Sequence, residues 1–229
     1  MSPLGKLLFV REHKYDSLFF GLLGGERFRY CFHEAGVSTT ETRRKTSRID
    51  ELAFEESRSY SLKTEVQLGV RNEWLSTDYD VVFLPIEDGV KRPVHVTYQL
   101  HPPPERRKPS KSMWGFTREE DPIGQDDALG SYLLTLDQIL ADRMAREIAS
   151  AGQVSWTGPL RLTRDSLDVV GDGRVTTRLF FRDVAKWRIE QGVFALYQRG
   201  AEGRPALAVA TSDENFFPGL CLFRQLASQ

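Results

Sequence analysis

The sequence predicts a mainly β protein with α (α+β), built as two small antiparallel β-barrels in tandem, each closed by a C-terminal helix. Three observations carry that prediction. The chain repeats itself: residues 30–62 and 160–195 each read as strand, turn and second strand. An acidic–aliphatic–alanine run marks both copies, in Ile49-Asp50-Glu51-Leu52-Ala53 and again in Phe181-Arg182-Asp183-Val184-Ala185. Apolar and polar residues alternate at a period of two in short segments between glycine- and aspartate-bearing turns, as half-buried strands do. Each copy is later followed by an amphipathic helix, whose apolar stripe covers the open mouth of a strand meander at about 1.5–3 kcal/mol per large side chain. At 229 residues the chain is long enough for two domains, each with its own core.

The first elements are the apolar runs Leu7-Leu8-Phe9-Val10 and Leu18 to Gly25, separated by a polar stretch, Arg11 to Asp16, that reads as a turn. Periodicity does not separate strand from short helix in either run. From Arg27 the alternation is clear: Phe28, Tyr30 and Phe32 share one face of a strand. Glu34-Ala35-Gly36-Val37 is a turn, a polar hairpin tip carries Arg43, Arg44 and Lys45, and Ile49, Leu52 and Phe54 begin the next strand. Strands follow at Ser59–Val70 and Tyr79–Ile86, the latter rich in β-branched and aromatic residues. Glu87-Asp88-Gly89 is a turn, and Val94, Val96 and Tyr98 alternate once more.

Composition then shifts. His101-Pro102-Pro103-Pro104 and the basic run ending at Lys111 make a stiff, solvated connection that cannot pair in a sheet. Leu129, Tyr132, Leu133, Leu136, Ile139, Leu140, Met144 and Ile148 fall at steps of three and four, one apolar stripe of a helix that Asp126 or Asp127 caps and Gly152 ends. The second copy is more compact. Val154 to Leu162 and Leu167-Val169 mark strands, Gly171-Asp172-Gly173 a tight hairpin, and Val175–Phe181, Val184–Glu190, Val193–Tyr197 and Ala206–Thr211 the rest of the sheet. Gln191-Gly192 is another turn. A helix over Asn215 to Leu226 finishes the chain, with Pro218 in its first turn. The expected domains are therefore 1–152, with a linker insertion at about 101–126 and a closing helix at about 127–151, and 153–229, closed by a helix at about 215–227.

This layout resembles the pleckstrin-homology-like (PH-like) superfold. Residues 126–229 look like the C-terminal half of an uncharacterised bacterial family with two tandem PH-like domains. The matching elements are the long helix, Gly152-Gln-Val-Ser-Trp-Thr-Gly-Pro-Leu-Arg-Leu-Thr163, the strand start Phe181-Arg182-Asp183-Val184, Gln191-Gly192, and Asn215 before the last helix. The resemblance is clearer in the second half; in the first, Ile49 stands where the aromatic is expected. It implies two helix-capped barrels and carries no activity.

Composition excludes more than it assigns. A net charge of −1 and a pI near 6.5 provide no global field toward nucleic acid or anionic lipid, and no RNA-binding signature accompanies Trp187 or Phe180-Phe181. Cys31 and Cys221 sit in apolar settings and read as buried thiols of a reduced, cytoplasmic protein. The four histidines lack metal-ligand spacing, Gly21 to Gly25 lacks the Lys-Ser/Thr of a phosphate loop, and no Gly-x-Ser-x-Gly elbow occurs, so neither a cofactor nor an enzyme activity is expected. Two candidate contact regions remain. Arg43, Arg44, Lys45 and Arg48 form the densest basic cluster, at a hairpin tip, where guanidinium forks suit phosphate; Glu41, Asp50 and Glu51 partly cancel it. Trp114 and Phe116 follow the basic linker, and aromatics in a polar connection tend to dock. The expectation is a non-enzymatic binding or scaffolding protein for a protein or peptide partner, with anionic lipid at the basic hairpin as the alternative.

Overall fold

The computed structural model describes residues 4–15, 26–43, 46–68, 74–86, 91–101 and 126–228. They form a mainly β protein with two helices, and the strands make four antiparallel sheets. Each of these sheets is open, with two edge strands and no ring of hydrogen bonds. The chain divides into two compact units, Met1–Leu133 and Leu134–Gln229, the division falling within the longer helix.

In the first unit, β1 (Leu7–Tyr15), β2 (Glu26–His33), β3 (Gly36–Arg43) and β4 (Thr46–Ala53) form one sheet in that order. A one-turn 3-10 helix, Phe54–Glu56, leads to a second sheet of β5 (Ser57–Leu68), β6 (Trp74–Pro85) and β7 (Val94–Leu100). The two sheets approach one another where β7 nears β1, β3 and β4. The stretch Arg11–Tyr15 is strand rather than the expected turn: it continues β1 in register with β2 from Arg11↔Tyr30 to Tyr15↔Glu26. Its polar side chains hide the strand from a periodicity count, because Arg11 occupies an inward position with an internal partner. Tyr30 and Phe32 are buried and Phe28 half-buried, as their shared face requires.

The long helix α1 (Asp127–Ala151) begins in this unit. Leu129, Tyr132 and Leu133 are buried, and the Tyr132 ring lies among Phe9, Phe32, Phe54 and Phe83, with centroids 5.0–6.4 Å away. Four rings drawn from three strands and the 3-10 turn thus converge on one helix residue, which fixes where the helix covers the sheets. Gly152 ends the helix at φ +79°, its N–H donating to the Ile148 carbonyl at 2.8 Å.

The second unit repeats the order with shorter strands. β8 (Gln153–Ser155), β9 (Leu160–Thr163), β10 (Ser166–Gly171) and β11 (Arg174–Phe180) form a sheet, a 3-10 turn Phe181–Asp183 follows, and β12 (Val184–Glu190), β13 (Val193–Gln198) and β14 (Leu207–Ala210) form another. Both predicted turns are two-residue hairpins. Asp172 and Gly173 have φ of 49° and 74°, Gln191 and Gly192 of 48° and 75°, the paired positive values that match the twist of flanking strands. Helix α2 (Phe216–Ala227) closes the unit over Trp156, whose ring stacks on Phe216 and Phe223 and meets Phe194 edge-on. Trp156 Nε1 donates to the Phe216 carbonyl at 2.9 Å. Gly219 permits this closeness, since a Cβ there would lie 1.9 Å from Trp156 Cδ1.

The internal repeat is real in topology, but its register differs from the expected one. Phe181 corresponds to Phe54, not Ile49. Phe54 N–H bonds to the Ala35 carbonyl and Phe181 N–H to that of Asp165; Ile86 N–H bonds to the Glu56 carbonyl and Arg199 N–H to that of Asp183. The same ladder irregularity follows each turn, between Ser57 and Ser59 and between Val184 and Lys186. Ile49 through Ala53 are the end of β4 and correspond to the end of β11. The aromatic of the repeat is therefore present in the first copy, at buried Phe54. An acidic–aliphatic pair on a neighbouring strand mimicked the motif.

Candidate functional site

The basic hairpin lies between β3 and β4. Arg43 ends β3, while Arg44, Lys45, Trp114 and Phe116 lie outside the described residues. Arg48 is exposed on β4 and makes a forked ion pair with Asp50 two residues on, Nε to Oδ2 at 2.9 Å and Nη2 to Oδ1 at 3.0 Å. Residues i and i+2 share a strand face, so the spacing itself creates this pair. The hydrogen bond to Asp50, then its charge, raises the Arg48 pKa. Arg48 is thus a cation already shared with a carboxylate.

Arg48, Ile49, Asp50 and Glu51 line one side of an open polar depression of about 330 Å3, and Lys91 and Arg92 line the other. Lys91 is ion-paired with Glu56. Sequence reasoning missed Lys91 and Arg92, which stand 43 residues or more beyond Arg48 in a short polar stretch before Pro93. The signal was available as a Lys-Arg-Pro sequence just before β7, but only the approach of β7 to β4 brings it beside the hairpin strand. The depression carries both cations and carboxylates and can form charge-assisted hydrogen bonds to an incoming backbone or charged side chain. Among the described residues no three His, Cys, Asp or Glu side chains cluster as metal ligands.

A second polar cluster is internal to the first unit. Asp126 caps α1, its Oδ1 accepting the Ala128 and Leu129 N–H groups at 3.1 Å. Arg11 holds the same carboxylate by a fork, Nε to Oδ2 at 2.6 Å and Nη2 to Oδ1 at 2.7 Å, and the Tyr98 hydroxyl donates to Oδ2 at 2.8 Å. Tyr79 Oη accepts the Asp126 N–H at 2.6 Å. Burial pushes the Asp126 carboxyl up, but the Arg11 fork and charge, with Tyr98 and the Leu129 N–H, outweigh it and hold the group below its ordinary range. Burial first, then the Asp126 charge, raises Tyr98 above the usual phenol. These bonds fasten the start of the helix to β1, β6 and β7.

In the second unit Asp168 on β10 is buried and forked by Arg178 on β11, with bonds of 2.8 and 2.7 Å, while Ser166 Oγ donates at 3.2 Å. The Arg178 bond is the main cause of a lowered Asp168 pKa. Both cysteines are half-buried and free of a disulfide. No helix among the described residues is long and apolar enough to cross a membrane. Comparison with known proteins finds no matching family model and no similar curated protein.

Proposed function

We propose that the chain is a non-enzymatic binding or scaffolding protein, composed of two PH-like domains at 1–152 and 153–229, that recognises a protein or peptide partner. One observation supports this above the others: the order of four strands, a 3-10 turn, three strands and a closing helix occurs twice, with matched hydrogen bonds at each turn. In that reading each pair of open sheets is a barrel left open at its corners, and the helix fills the mouth. The accessible features are strand edges and the shallow depression beside β4, which suit recognition by contact along a surface. The two free, half-buried cysteines fit a reducing cytoplasm. Affinity capture with the full chain tests the reading. A protein retained by the wild type and lost from the K91E/R92E variant supports it; identical capture by both contradicts it.

The presence of Lys91 and Arg92 beside Arg48 also favours a second reading, an anionic headgroup at the hairpin 43–48. It requires co-sedimentation with phosphatidylserine vesicles that fades as salt rises and disappears in R48E. Salt-independent sedimentation removes it.

A further inference from the structure

The sheet register identifies which backbone groups of β4 face away from the protein. Ala53 turns both of its groups outward: its N–H donates to Glu56 Oε2 at 3.3 Å, and its carbonyl accepts Ser57 Oγ at 3.1 Å. The next N–H, that of Phe54, turns back to the Ala35 carbonyl at 2.9 Å. The β3–β4 ladder runs without irregularity from Gly36↔Ala53 to Arg43↔Thr46. Antiparallel pairs alternate between hydrogen-bonded and non-bonded, so the outward orientation recurs at Glu51, Ile49 and Ser47. Among the described residues β4 pairs with β3 alone. The N–H and carbonyl groups of Ile49 and Glu51 therefore open on the depression beside β4, where Ile49 is 61% exposed.

We infer that this edge pairs with the same edge of a second copy of the chain, forming a two-fold antiparallel dimer through β4. The argument is one of self-complementarity and does not depend on the PH-like reading. Two antiparallel β4 strands must set outward residues opposite outward residues. Pairing Ser47 with Ile49 sets Arg48 against Arg48, and pairing Ile49 with Glu51 sets Asp50 against Asp50. The register between these pairs Ser47 with Glu51, places Ile49 on Ile49 at the two-fold axis, and sets Arg48 opposite Asp50 twice. The forked pair inside one chain already shows that these two side chains reach each other across a strand face. The two neighbouring registers thus meet like charges, and this one sets each Arg48 opposite an Asp50 with an apolar contact between them. The corresponding edge strand of the second unit, β11, reads Arg-Val-Thr-Thr-Arg-Leu-Phe and carries no acid, so no register of it is self-complementary in charge.

A single strand pair is a small interface, and the association belongs on the order of micromolar to millimolar. Sedimentation velocity of the full chain across that range provides the test, with R48D, D50R and I49P. The wild type dimerises with rising concentration. R48D and D50R each put like charges across the axis and self-associate roughly tenfold more weakly or worse, whereas their equimolar mixture recovers the dimer because acidic edge then meets basic edge. I49P removes an N–H that only the second copy uses, so it retains the wild-type circular dichroism and melting curve and remains monomeric. A wild type monomeric throughout overturns the inference and leaves the edge to a different strand. So does undiminished dimerisation of both single variants, or a mixture of folded R48D and D50R that stays monomeric.

Discussion

The starts of the two helices are secured by different chemistry, α1 in the first unit and α2 in the second. In the first, a charged cap does it: Asp126 sits 2% exposed at the head of α1, forked by Arg11 and bonded by Tyr98, with Tyr79 accepting its N–H. In the second, α2 starts from Asn215 in a left-handed conformation with no side-chain cap, and it is held instead by Trp156 pressed against Gly219, Phe216 and Phe223. What the arrangement demands is an apolar stripe covered and a helix start fixed in place. Either a buried ion-pair network or an aromatic stack satisfies the second demand. The edges differ in the same way. β4 alternates Arg48, Ile49 and Asp50, while β11 carries only arginines among its charges, so one edge invites a copy of itself and the other repels one.

The comparison can be broken most severely at the aromatic stack. Trp156→Ala removes a fully buried indole and costs about 3–5 kcal/mol. Segment-resolved native hydrogen exchange should lose protection across β8–β14 while β1–β7 retain theirs, and equal loss in both would show that the units do not unfold separately. Gly219→Ala attacks the same stack from the helix side. Its Cβ must displace Trp156, at about 3 kcal/mol in chemical denaturation, which is large for the smallest side-chain addition.

Asp126→Asn breaks the charged cap and costs about 2–3 kcal/mol, because Arg11 loses its partner while remaining only 26% exposed. The sign with pH follows from a lowered folded-state pKa. The Asp126 contribution is fully present above its unfolded value of 3.8 and is lost as pH falls through the folded value below it. Wild-type stability of the first unit should therefore drop in acid below about pH 4, and the Asp126→Asn variant should be flatter there. Asp168 shifts in the same direction, but its partner Arg178 is half exposed, so added salt should shrink the acid dependence of the second unit more than that of the first.

The smallest effect sharpens the comparison from the opposite side. Tyr132 Oη is buried among rings, and among the described residues no hydrogen-bond partner reaches it. Tyr132→Phe should raise stability by about 1 kcal/mol in denaturant titration, against the usual loss for such a change. In the second unit the polar atom of the central aromatic, Trp156 Nε1, is bonded to Phe216, and the parallel substitution Trp156→Phe should destabilise.

Elements governed by neighbouring residues are legible in the sequence. The stripe from Leu129 to Ile148 marks α1, Asp126 or Asp127 and Gly152 mark its ends, Gly171-Asp172-Gly173 marks a tight hairpin and Gln191-Gly192 a turn, because a helical period, a cap and a positive φ are each set within a few residues. The run Arg11–Tyr15 was illegible as strand because its arginine points at a carboxylate 115 residues away. The repeat register was misplaced onto Ile49 because an acid followed by an aliphatic recurs by chance on a short strand, whereas the hydrogen bond from Phe54 to Ala35 does not.

By itself, then, the sequence determined a mainly β chain with two amphipathic helices, the positions of its tight turns, and a basic hairpin interrupted by acids. Only the tertiary structure decided that Arg11 meets Asp126, that Trp156 rests where Gly219 lacks a side chain, and that Lys91 and Arg92 flank the open edge of β4. The reason is physical. Periodicity and turn conformation are local free-energy preferences that each segment carries with it, while these contacts exist only after distant segments pack, and their chemistry is chosen by the neighbours that packing supplies.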